Sequence, residues 1–148
     1  MLDFIEWLTT YINTILNSDA DFDGAVFHTV YGYAYDSEFE FPQVTIQVIN
    51  DSENESYTTF DGEEVSNLGL QIDCFAQEMS IDLTITEPQR ACLVISDKIK
   101  KIFQDLKTNK VKTEILGVTR TGHNFSMPID NGEQLYRVIS RYNLLINE

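Results

Sequence analysis

Apolar residues recur at three- to four-residue spacing near the start of the chain. Ile5, Leu8, Ile12 and Ile15 form the stripe, and Phe4, Tyr11 and Leu16 widen it. That period predicts an amphipathic helix over residues 3–17, closed by Asn17-Ser18-Asp19. Ala25 to Val30 reads as a short strand, followed by tyrosines at 31, 33 and 35 and an acidic loop. The period then becomes two. Val44, Ile46 and Val48 share one face of a strand over residues 43–50, and residues 57–60 return as a short strand. Leu68, Leu70, Ile72, Cys74 and Ala76 alternate with Gly69, Gln71, Asp73, Phe75 and Gln77. A strand over 67–77 with one buried face and one mostly polar face is expected.

A second helix is predicted over residues 86–107. Thr86-Glu87-Pro88-Gln89 offers a threonine cap, a proline in the first turn and a glutamine at the capping-box position. Ala91, Ile95, Ile99, Ile102, Phe103 and Leu106 make its buried stripe. Lys98, Lys100, Lys101 and Lys107 gather where the helix dipole favours cations. Residues 112–120 read as a strand, Thr121-Gly122-His123-Asn124 as a turn, and Met127 to Gly132 as a second break. In the last strand, 133–146, both faces are partly apolar, which places it in the middle of a sheet or at an interface. No internal repeat, linker or low-complexity segment interrupts the chain. The expected fold is α+β: one domain over residues 1–148, a mostly antiparallel sheet with an N-terminal and a central helix packed on it.

Charge changes the picture more than composition does. The chain has 148 residues and a formal net charge of −14, unlike a free nucleic-acid binder with its basic patch. Residues 1–89 hold 18 of the 24 acids and no Lys or Arg, a charge of −18. Residues 90–148 hold all 10 basic residues and 6 acids, a charge of +4. Such asymmetry invites either a partner or a broadly acidic solvated surface. No run of 18 apolar residues is present, so no membrane-spanning helix is expected, and the first residues lack a basic leader region. The protein is expected in the cytosol, or in a particle assembled there. Cys74 and Cys92 then read as reduced core residues.

Candidate chemistry is sparse. His28 and His123 lie far apart, and no Cys/His spacing suits zinc. Glu63-Glu64 sits in a turn beside Gly62, without a pattern that would converge two carboxylates on a substrate. Asp19-Ala20-Asp21-Phe22-Asp23-Gly24 opens like a calcium loop, but position 12 is Val30 rather than a glutamate. An ordinary acidic turn is the better description. No nucleophile motif or phosphate loop is found. The expectation is a protein with no active site, metal or cofactor.

The stretch Phe41-Pro42-Gln43-Val44-Thr45-Ile46-Gln47-Val48-Ile49-Asn50, a polar hairpin, and Asn67-Leu68-Gly69-Leu70-Gln71-Ile72-Asp73-Cys74-Phe75-Ala76 resemble the tail terminator or tail completion proteins of long-tailed bacteriophages. The helix at 87–107, Arg120-Thr121-Gly122 leading to Met127-Pro128-Ile129, and the ending Tyr136-Arg137-Val138-Ile139-Ser140-Arg141-Tyr142-Asn143 agree with it. The resemblance implies a ring, commonly a hexamer, at the head-proximal end of the tail tube. Such a ring stops tube polymerisation and docks the head connector protein. Double-stranded DNA later passes through its lumen, which negative walls would ease. The implied partners are a second copy, the tube protein and the connector, and the implied location is the virion, reached from the host cytoplasm. The alternatives are a head-closure or other neck protein, or a cytosolic binding module. A ring needs one face of a subunit to meet a different face of the next. Arg120, Arg137 and Arg141 are the basic candidates for that contact, with Lys98 and Lys101 behind them. Glu53, Glu55, Glu63 and Glu64 are the acidic ones.

Overall fold

The computed structural model describes residues 2–32, 41–50, 57–58, 64–106, 114–125, 129–130 and 134–147. The chain opens with helix α1, Leu2–Ser18, and a single 3-10 turn, Ala20–Phe22. Strands β1 (His28–Tyr31), β2 (Gln43–Asn50), β3 (Tyr57–Thr58) and β4 (Glu64–Ala76) follow. Then come β5 (Met79–Ile81), β6 (Thr84–Thr86), helix α2 (Pro88–Asp105), β7 (Glu114–Phe125), β8 (Ile129–Asp130) and β9 (Gln134–Asn147). The main sheet runs β1-β2-β4-β9-β7, with β3 on β4 and β8 on β9, and β5 and β6 form a separate hairpin. Every pairing in the main sheet is antiparallel except β1 with β2. The fold is α+β, as the periodicities require.

Both described helices lie on one face. α1 packs against β1, while α2 crosses β4 and β9. Phe4, Ile5, Leu8, Ile12 and Leu16 of α1 meet Ala91, Ile95, Ile99, Ile102 and Phe103 of α2 and the even-numbered residues of β4 and β9 in one core. Burial of the leucine, isoleucine and phenylalanine side chains among them contributes about 1.5–3 kcal/mol each. The phenyl ring of Phe103 stacks on Tyr142 with centroids 4.2 Å apart. Cys74 and Cys92 are free and buried here, and the Cys92 thiol donates to the Tyr136 carbonyl at 3.0 Å. Burial pushes the Cys92 thiol up to about 12 and Cys74 well above its ordinary value.

Four local expectations are corrected. Helix α2 begins at Pro88, and its cap is Glu87, with no side-chain cap bond. Thr86 instead ends strand β6, and its hydroxyl donates to the Thr84 carbonyl. The last turn of α2 holds no basic residue, so the dipole does not account for Lys98, Lys100 and Lys101, and Lys107 lies outside the described residues. Thr121-Gly122-His123-Asn124 is not a turn: it continues β7 against β9, through a bulge between Arg120 and Gly122. Finally, the polar face of β4 is also buried, with Asp73 and Phe75 each 2 % exposed and Gln71 8 %.

Candidate functional site

The face of the sheet away from the helices carries the odd-numbered side chains of β4 and β9. Register pairs Asp73 with Ile139, Gln71 with Arg141 and Phe75 with Arg137. A polar chain crosses these strands. The Arg137 Nη2 donates to Asp73 Oδ2 at 2.6 Å, and Gln71 Nε2 donates to Asp73 Oδ1 at 3.2 Å. Arg141 Nε reaches Gln71 Oε1 at 3.4 Å. The Arg137 guanidinium also lies 5.6 Å from the centre of the Phe75 ring. Asp73 is thus a buried carboxylate whose charge is matched and whose two oxygens both accept bonds, the condition for keeping an ion inside a protein.

The candidate arginines do not share one surface. Arg137 is committed to Asp73 within its own chain. Arg141 is exposed, four residues further along the same face of β9. Arg120 pairs with Tyr142 across β7 and β9 and therefore faces the helices. Its Nε and Nη2 and the Tyr142 hydroxyl lie buried without a hydrogen-bond partner. Burial pushes the Tyr142 phenol up to about 12, against the opposing pull of the Arg120 charge. Glu53, Glu55 and Glu63 lie outside the described residues. Glu64 opens β4, paired with Thr58 rather than set in a turn. Lys98 belongs to another site: its Nζ lies 3.0 Å from Asp19 and 2.6 Å from Asp21.

That second site contains the acidic turn. Asp19 caps the 3-10 turn through the Asp21 N–H. Burial opposes ionisation of Asp19, but this N–H and the Lys98 ammonium outweigh it and hold the carboxyl below its ordinary value. The Asp21 carboxylate raises the Lys98 pKa in return. Asp23 uses its carboxylate differently, accepting from the Ser80 hydroxyl at 2.5 Å and the Leu83 N–H at 2.8 Å. The Asp21 carbonyl accepts from the Asp82 N–H at 2.6 Å. The acids that looked like a calcium loop are therefore engaged in clamping the β5–β6 hairpin. Among the described residues no group of three His, Cys, Asp or Glu side chains could hold a metal ion. No helix among them is long and apolar enough to cross a membrane.

The hairpin presents what pattern reading missed. Asp82 and Leu83 have φ of 50° and 61°, the left-handed pair that a two-residue hairpin turn demands. Glycine or asparagine usually fills such positions, and a leucine there is strained by about 1–2 kcal/mol. Leu83 is 89 % exposed and Ile85 75 %. A signal existed in Met79, Ile81, Leu83 and Ile85, which alternate in sequence. The tight turn inverts their parity: Ile81 pairs with Thr84 and Ser80 with Ile85, so Ile85 shares a face with Ser80 and points outward.

This fold occurs in a virion. A chain of the structure titled "Virion of native gene transfer agent (GTA) particle" superposes with a TM-score of 0.58 at 8 % sequence identity. The match covers 93 % of this chain and 92 % of that one, so it embraces both helices and the sheet. No protein-family model matches the sequence, and no curated protein does.

Proposed function

We propose that this protein is a structural component of a phage-type virion, a tail terminator that caps the head-proximal end of a tail tube as a ring of identical subunits. The observation that carries the proposal is the end-to-end likeness of its fold to a chain of a gene transfer agent virion. The sequence resemblance to tail terminators supplies the role within the particle. The chemistry agrees, because Asp19, Asp21, Asp23 and Asp73 are all engaged in internal bonds that hold the fold. No substrate or cofactor enters this proposal, and the protein acts by assembly. Its partners are further copies of itself, the tube protein below and the head connector above.

The test is made in the producing cell and on the purified protein. Negative-stain images of the purified protein should show rings of uniform size. Loss of the protein should yield tails of uncontrolled length that carry no heads. Tails of normal length without heads would instead identify a head-closure protein. Particles of normal form, free of this chain, would identify a cytosolic binding module and refute the virion role.

A further inference from the structure

Two apolar features lie at opposite ends of β4. The first is the hairpin tip, where Leu83 and Ile85 are the two most exposed large apolar side chains among the described residues. The hairpin begins at Met79, just past Ala76, the last residue of β4, and its first strand lies against the 3-10 turn and α2. Asp23 and the Asp21 carbonyl hold it in a fixed, left-handed geometry, so these side chains are presented rather than free to fold back. The second is a shallow groove lined by Asn67, Gly117, Thr119, Asn143 and Leu145. It lies near the start of β4, on the face away from the helices. Its floor is bare because residue 117 is glycine: a Cβ there would sit 3.9 Å from the Leu145 Cβ, in ordinary contact.

We propose that the Leu83–Ile85 tip of one subunit seats in the Gly117–Leu145 groove of the next copy of this chain. The proposal rests on the ring reading and names its contact. Asn67 and Ala76 are separated by about 30 Å of strand, so tip and groove cannot meet within one molecule. A contact between two different patches is heterologous and propagates from copy to copy, which is what a ring requires. The charges match as well. Asp82 is exposed beside the tip, and Arg141 is exposed two residues from Asn143 on the groove's face of β9. A buried apolar contact also gives Leu83 a reason to occupy its strained position.

Leu83→Asp removes the tip and Gly117→Val fills the groove. Neither disturbs the core, and circular dichroism should match the parent for both. Light scattering and negative stain should show rings for the parent and monomers for each variant alone. An equal mixture of the two should give dimers and no rings, because Gly117→Val keeps its tip and Leu83→Asp keeps its groove. As an independent measurement, Leu83→Cys and Leu145→Cys chains should cross-link on oxidation when mixed. Rings from both single variants, without that cross-link, would overturn the contact while leaving the ring intact. Rings that form but no longer bind tube protein would assign the tip to the tube instead. A parent that stays monomeric at every concentration would overturn the contact and the ring together.

Discussion

Asp73 shows how much one side chain depends on a residue far along the chain. Arg137 lies 64 positions away and supplies the bond at 2.6 Å that matches the buried charge. Removing one partner leaves the other desolvated and unpaired, whereas replacing both by apolar groups removes the need for pairing. Arg137→Met should therefore destabilise the protein by about 3 kcal/mol, because it strands the buried Asp73 carboxylate, and adding Asp73→Leu should recover much of that loss. Urea unfolding of the two single variants and the double variant measures this, and a strictly additive cycle would contradict it. Phe103 tests the other face. It is fully buried and stacked on Tyr142, so Phe103→Ala should cost about 3–5 kcal/mol in the same assay.

The acidic turn, Lys98 and the β5–β6 hairpin act as one element. Asp19 is held below its ordinary value of 3.8, so its contribution is present above that value and is lost as pH falls through the lower folded one. Lys98 is raised above 10.5, so its contribution is complete below that value and is lost as pH rises through the higher folded one. These groups are partly exposed, and screening limits the cluster to about 1 kcal/mol or less. Melting curves of the parent and Lys98→Met should differ at neutral pH and converge in acid. At the hairpin tip, stability and assembly should move in opposite directions. Leu83→Asn suits the left-handed backbone and should stabilise the monomer by about 0.5–1 kcal/mol, read from urea unfolding. On the contact proposed above, it should also weaken the ring.

At the scale of the whole molecule, charge asymmetry has more than one outlet. Part of it is consumed inside the chain, in the ion pairs of Lys98 with Asp19 and Asp21 and of Arg137 with Asp73. Arg137 is therefore a poor probe of assembly, because changing it unpairs Asp73. Arg141 is the better one, being exposed. Arg141→Glu should leave the monomer's stability within about 0.5 kcal/mol. On the ring proposed above, it should weaken assembly more at low salt than at high salt, because salt screens a contact between exposed charges. Sizing chromatography at two ionic strengths reads this, and equal ring yield at both would remove Arg141 from the contact.

The sequence by itself determined the helices, the longer strands and the helix-facing core. Those depend on local periodicity: Ile5, Leu8 and Ile12 in α1, Ile95, Ile99 and Phe103 in α2, and the even positions of β4 all lie where spacing places them. The tertiary structure alone decided which residues meet across the sheet. Alternation marks Asp73 as belonging to the other face, but only the register against β9 brings Arg137 to it and turns an expected solvent face into a buried one. The same holds for Arg120, which a bulged β7 sets on the helix side, apart from Arg137 and Arg141. It holds again for Ile85, turned outward by a two-residue turn that the alternation of its neighbours conceals. Periodicity reports a residue's angle about its own element. Register, bulges and turn length fix that element against the others, and those arise from the packing of the whole chain.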